Sequence, residues 1–193
     1  MAKKASTVGN SVRDWLLEEG FPISYEDGDG LKWMWVTNLQ SGLRVMVSER
    51  SDSPNKVTVV GLGSLDPRYA VEFSQFSPLE KNAFVAECQR ELVISGCVFG
   101  GNWNNIQALA FVKSVYLEEL TLPTLAKAMG AVNNGWLLVC NIVVNAFPGV
   151  WEQITGVTPT APIGTIGRKL GFRPGAPQPE ENPENLLDKP ENL

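Results

Sequence analysis

Ser77-Pro78-Leu79-Glu80 announces the start of a helix more explicitly than any other stretch of the chain. It supplies a capping serine, a proline at the first helical position and a glutamate that can reach back to the N–H of the cap. Gly96 closes the helix so opened. Leu79, Phe84, Val85, Cys88, Leu92 and Val93 are spaced to form a wide apolar stripe along it, while Glu80, Lys81, Glu87, Arg90 and Glu91 take the other side. Such a helix must lie across an apolar surface, and the flanking sequence predicts a sheet.

Three strands are predicted ahead of it. Leu31–Leu39 alternates around Trp33 and Trp35, Leu43–Val47 is rich in branched and long apolar residues, and Lys56–Leu62 contains Val57, Val59 and Val60. The connections between them are too short for parallel neighbours, so the three form an antiparallel meander. A short helix, Val12–Glu19, capped by Ser11 and stopped by Gly20, precedes them. After Gly96 comes a polar knot of Gly100, Gly101, Asn102, Asn104 and Asn105. Ala108–Leu117 then alternates like one more strand or two, and Thr121 caps a last helix with Pro123 in its first turn. Asn133-Asn134-Gly135 is a point at which this helix can break. The segment from Trp136 to Phe147 suits strand or helix; the reading adopted is helix, ended by Pro148.

The fold class predicted is therefore α+β: an antiparallel sheet with an N-terminal helix, a long central helix and a C-terminal helix. Residues 1–10 read as a flexible N-terminus and 11–154 as one domain. Residues 155–193 read as a Pro/Gly-rich linker and acidic disordered tail, because aromatics vanish after Phe172 and prolines accumulate. Pro183-Glu184-Asn185-Leu186 recurs there as Pro190-Glu191-Asn192-Leu193, a candidate recognition motif as well as low-complexity drift.

Composition narrows the chemistry. The chain has no histidine, so histidine-dependent triads and histidine metal sites are excluded. Cys88, Cys97 and Cys140 are odd in number and lie among apolar neighbours, which reads as reduced packed thiols and a cytoplasmic protein. Net charge is -5, with bases gathered only in residues 163–175, so no nucleic-acid surface is expected. The longest apolar run, Trp136–Val144, contains Asn141 and is too short to span a bilayer, so no membrane association is expected.

The segments Val12-Arg13-Asp14-Trp15-Leu16-Leu17-Glu18-Glu19-Gly20, Leu43-Arg44-Val45-Met46-Val47 and Val57-Thr58-Val59-Val60-Gly61 carry a resemblance, together with Ser77-Pro78-Leu79-Glu80-Lys81 and the asparagine knot running into Ala110-Phe111-Val112. In pattern and order they resemble the type III secretion chaperone-like superfamily with its YbjN-type proteins, and within it a small uncharacterised prokaryotic family. The likeness covers about residues 10–147. It implies a chaperone or adaptor that pairs as a dimer and holds extended segments of a protein partner.

Glu26-Asp27-Gly28-Asp29-Gly30 lacks the spacing of a calcium loop, and neither Gly61-Leu62-Gly63 nor the Gly164–Lys169 stretch completes a nucleotide fingerprint, so no metal and no cofactor is expected. Trp33 and Trp35 share one sheet face. If the core takes them, Met34 and Val36 are left on the other face with Met46, as an apolar surface for a partner. Trp103 in the polar knot, Val139 and Val143 on a last helix that reads as apolar all round, and Leu186 and Leu193 in the repeats complete the partner-binding set. The apolar helix is the reason to expect a homodimer. The function expected is a non-enzymatic protein-binding module, chaperone-like or adaptor. The alternatives are a small ligand-sensing or hydrolase domain using Glu118, Glu119 or Asp27 with the asparagine-rich loop, and a structural subunit of a larger assembly.

Overall fold

A computed structural model describes residues 7–103 and 105–159, and at its centre is the predicted meander, lengthened and joined by further strands. In chain order the described residues form α1 (Thr7–Glu18), β1 (Ser24–Tyr25), β2 (Leu31–Asn38), β3 (Arg44–Arg50), β4 (Ser53–Ser64), α2 (Pro67–Ser74) and α3 (Pro78–Ser95). There follow β5 (Val98–Phe99), β6 (Ala108–Tyr116), a 3-10 turn at Leu117–Glu119, α4 (Leu122–Ala146) and α5 (Pro148–Thr155). The six strands make one antiparallel sheet in the order β1-β2-β3-β4-β6-β5. The predicted α+β class is the one observed. The tail beyond residue 159, with both Pro-Glu-Asn-Leu repeats, lies outside the described residues.

Helix α3 begins as its sequence announces. Ser77 Oγ accepts from the Glu80 N–H, the Glu80 carboxylate accepts from the Ser77 N–H at 2.8 Å, and Gly96 ends the helix at φ 75°. Its buried stripe is narrower than predicted. Phe84, Cys88 and Leu92 are buried, whereas Leu79 and Val93 stand in solvent. Helix α1 starts at Thr7, ahead of the predicted start, so Ser11 sits inside it and residues 7–10 belong to the domain. The reason is Gly9: the Trp35 indole N–H donates to its carbonyl at 2.8 Å, and a Cβ there would come within 2.8 Å of the Trp33 ring.

Two short helices were not anticipated. α2 is capped by Asp66, whose carboxylate accepts from the Arg68 N–H and guanidinium, and those bonds hold its pKa down at about 2. α5 starts at the proline that ends α4. Tyr69 and Phe73 of α2, Phe76, Phe84 of α3 and Phe147 meet in one aromatic cluster with neighbouring ring centroids 5.0–6.2 Å apart.

α4 runs unbroken through Asn133-Asn134-Gly135. Ser41 Oγ donates to Asn133 Oδ1 at 2.7 Å, and a Cβ on Gly135 would lie 2.5 Å from Cys97 Sγ, so this part of the helix is pinned by contacts. Trp136–Ala146 is helical. It is not apolar all round: Asn134, Leu137, Asn141 and Asn145 form its exposed side, and the opposite side is buried. Val139 and Val143, predicted to face a second copy, are each 1% exposed within the core. The coverage that seemed to require a dimer is supplied inside the chain.

Among the described residues no single helix is long and apolar enough to cross a membrane. α4 and α5 pass together by composition only, and they are bent by 101°.

Candidate functional site

Sheet register divides the strands into two faces. Trp33, Trp35, Val45, Val47, Val57, Val59, Gly61, Gly63, Leu109 and Phe111 share one, because Trp35 pairs with Val47, Val47 with Val59, and Gly61 with Val45 and Phe111. The helices lie here. Gly9 of α1 meets Trp33, while Val132 and Trp136 of α4 press on Gly61 and Gly63 so closely that a Cβ on either glycine would come within 2.4 Å of them.

Among the described residues, none of these helix contacts falls on the opposite face. Val36 pairs with Met46, Met46 with Val60, Val60 with Val112 and Val112 with Val98, which makes one apolar row across five strands. With strands about 4.8 Å apart, the row is about 19 Å long. Arg44, Leu62 and Ala110 form the next row. Exposure rises toward the β6 side: Leu62 is 38% and Val98 62% exposed. Val93 and Ile94, also exposed, precede Val98 at the end of α3. At the β1 side the row runs into a shallow polar depression where Arg44 pairs with Glu26 beside Ser24 and Asn38.

The predicted partner-binding residues fall unevenly on this frame. Met34 and Met46 are half-buried on the helix-free face. Val36 is there too, but at 5% exposure it contributes little surface. Trp103 is half-buried and spends one ring face stacking on Phe99, with centroids 3.9 Å apart, so the polar knot folds its tryptophan inward. Val139 and Val143 are core residues, and Leu186 and Leu193 lie outside the described residues. Sequence reasoning missed Val60, Leu62, Val98 and Val112 as members of the surface. The signal was available in the alternation of Ala108–Tyr116, which puts Val112 on the face opposite Phe111.

The carboxylates of the alternative reading do not assemble. Asp27 accepts from the Tyr25 hydroxyl at 2.9 Å in the β1–β2 connection, and Glu118 and Glu119 are exposed in the turn after β6. None of the three lines the polar depression beside Arg44 or the concavity between α1 and α4. No group of three metal-ligating side chains occurs among those residues.

Burial pushes the thiols of Cys88 and Cys97 up and that of Cys140 up to about 12. The thiolate is the reactive form, and an unfolded cysteine has a pKa near 8.5. Iodoacetamide at about pH 8 is therefore expected to leave all three unlabelled in the native chain and to modify all three in urea. Mass spectrometry reads the result, and rapid native labelling of one cysteine would show that its burial is wrong.

A family model described as "Uncharacterized conserved protein (DUF2299)" matches residues 8–143. No curated protein matches the chain. Among solved structures, an uncharacterized protein from Methanothermobacter thermautotrophicus superposes with a TM-score of 0.65 at 16% identity, over 72% of this chain and 97% of that one. A chain in the structure of the HopA1-SchA chaperone-effector complex gives 0.44 at 15% identity, over 69% and 94% of the two chains. YbjN from E. coli gives 0.36 at 11%, over 75% and 94%. The archaeal protein shares the fold, and at these identities the likeness concerns fold alone.

Proposed function

This chain belongs to the DUF2299 family of uncharacterised conserved proteins, and we propose that it is a non-enzymatic protein-binding module that holds an extended, apolar segment of a partner on the helix-free face of its sheet. The observation that carries the reading is the cross-strand row Val36–Met46–Val60–Val112–Val98. It opens onto exposed Leu62 and Val98 at one side and ends at the Arg44–Glu26 pair at the other. An apolar strip with a polar end fits a segment whose side chains provide area and whose backbone or termini find hydrogen bonds. The absence of histidine and the burial that raises the Cys88 and Cys140 thiols count against catalysis by either residue type.

Reduced, carboxymethylated α-lactalbumin, a permanently unfolded chain, serves as the probe. Fluorescence anisotropy is expected to show binding, weakened about tenfold, or about 1.4 kcal/mol, by Leu62→Asp or Val98→Asp. Leu79→Asp, on the exposed side of α3, is the control and should change nothing. Equal binding by all three variants would remove the sheet face from the reading.

A further inference from the structure

The helix layer has a concavity of its own, a half-open trough of about 350 Å³ between the end of α1, the β2–β3 turn and the first half of α4. Its walls are apolar, with Trp15, Leu16 and Phe21 on one side and Leu125 and Met129 on the other. Its most informative member is Gly130. A glycine inside a helix is less stable than alanine there, so it needs a reason. Gly61, Gly63 and Gly135 have one, since a Cβ on any of them would collide with a neighbour at 2.4–2.5 Å. Among the described residues Gly130 has none, because a Cβ there meets nothing within 4 Å. With Ala126 one turn earlier, it leaves a bare strip of helix backbone along the trough.

Shape and charge select the occupant. From Leu122 to Asn133, the α4 residues that line the trough span about 16 Å, long enough to seat the anchors a second helix presents at i, i+3 or i+4, and i+7, which cover about 10.5 Å. A small ligand is ordinarily buried over most of its surface, which a half-open trough cannot do. An amphipathic segment that keeps its other face in water fits instead. The single charged residue in the lining is Glu19. Glu18 and Glu19 follow one another at the C-terminal end of α1, where the helix dipole disfavours negative charge. No basic residue occupies the last turn, and among the described residues neither glutamate is ion-paired.

We propose that this trough receives an amphipathic helix of a partner protein, seated with its apolar anchors over Gly130 and Met129 and a lysine or arginine against Glu19. This rests on the protein-binding reading but uses a different surface from the sheet face.

The probe is a fluorescein-labelled helical peptide of about 18 residues with leucines at the anchor spacing and flanking lysines, titrated by anisotropy onto the full chain at about 0.15 M salt. Gly130→Leu puts a side chain over the strip, and its Cβ meets no described atom within 4 Å. It is expected to weaken binding at least about tenfold while the thermal midpoint holds or rises. Glu19→Lys should weaken the lysine peptide about fivefold and favour a glutamate version of it, a charge swap that general stickiness would not reproduce. Binding unchanged by Gly130→Leu, or no binding to the native chain, overturns the proposal. Loss on Leu62→Asp instead places the peptide on the sheet face, which overturns the trough and leaves the wider reading standing. Failure of both this peptide and the unfolded chain to bind removes both.

Discussion

Glu49→Ala is expected to lower the unfolding free energy by about 3–5 kcal/mol, read from the urea midpoint at constant slope. Glu49 is 3% exposed, on the helix-covered face of β3. Its carboxylate accepts from the Trp33 indole N–H at 2.9 Å and pairs with the Lys32 ammonium. Two irregularities converge on it. Register slips between Leu31 and Trp33 in β2, so two residues of that strand serve one of β3, and it slips again between Glu49 and Arg50. Removing the acid strands a buried indole N–H and an ammonium that is only partly in water, and each must then be desolvated without a partner. Trp33→Phe, which removes one donor and leaves a smaller aromatic ring, should cost less, about 1–3 kcal/mol. Replacing the three together, Lys32→Met, Trp33→Phe and Glu49→Leu, should recover much of the loss, since a buried ionic group exchanged for apolar packing is often close to neutral. A triple variant no more stable than Glu49→Ala would show that the acid sets strand register and does more than satisfy its donors.

This triad also marks where sequence reasoning stops. Strict alternation through Lys32-Trp33-Met34 puts Lys32 opposite Trp33, and a bulge cannot be seen in alternation, so the lysine's partner was invisible. An acid inside a strand reads as a solvated position, and only the pairing of β2 with β3 reveals that it is enclosed. Period-two segments were legible, because each apolar residue in them has a fixed side. The helix opened by Ser77 and closed by Gly96 was legible because caps act locally. α2 and α5, at eight residues each, lack a repeat long enough to read, although Asp66-Pro67 and Pro148 mark their starts. The helix expected as the last one reads as apolar all round only while its asparagines count as a break or an interruption and not as one side of a helix. Asn134, Asn141 and Asn145 give it a wet side, which leaves Val139 and Val143 to the core. Of the apolar residues on the outer sheet face, Met34, Val36 and Met46 were legible as same-face residues from β-strand parity. The row they belong to was not, since which strands lie beside β4 depends on the return of β6 across the chain.

Gly63→Ala is expected to destabilise the fold by about 1–3 kcal/mol, although alanine is the smaller perturbation at most strand positions. A Cβ there would lie 2.4 Å from Trp136 Cζ3, 2.5 Å from Cε3 and 2.8 Å from Cη2, so it meets the flat of a ring and not the end of a pliable chain. The ring has little freedom to retreat. It is 7% exposed, its N–H donates to the Ser41 carbonyl at 3.3 Å, and its ring centroid lies 6.0 Å from that of Phe111 in a T-shaped contact. The clash is thus shared by the two elements whose contact holds α4 on the sheet. A double-mutant cycle isolates it: Trp136→Leu alone loses packing, but Gly63→Ala should cost nearly nothing in its presence, a coupling of about 1–3 kcal/mol. Gly130→Ala in the same helix carries the opposite sign, a gain of up to about 1 kcal/mol, because its Cβ enters open space and only the helix preference changes. Thermal unfolding of the three variants side by side tests the packing directly. If Gly63→Ala proved neutral with Trp136 in place, α4 would have to sit farther from β4 than these distances place it, and the trough beside Gly130 would change shape with it.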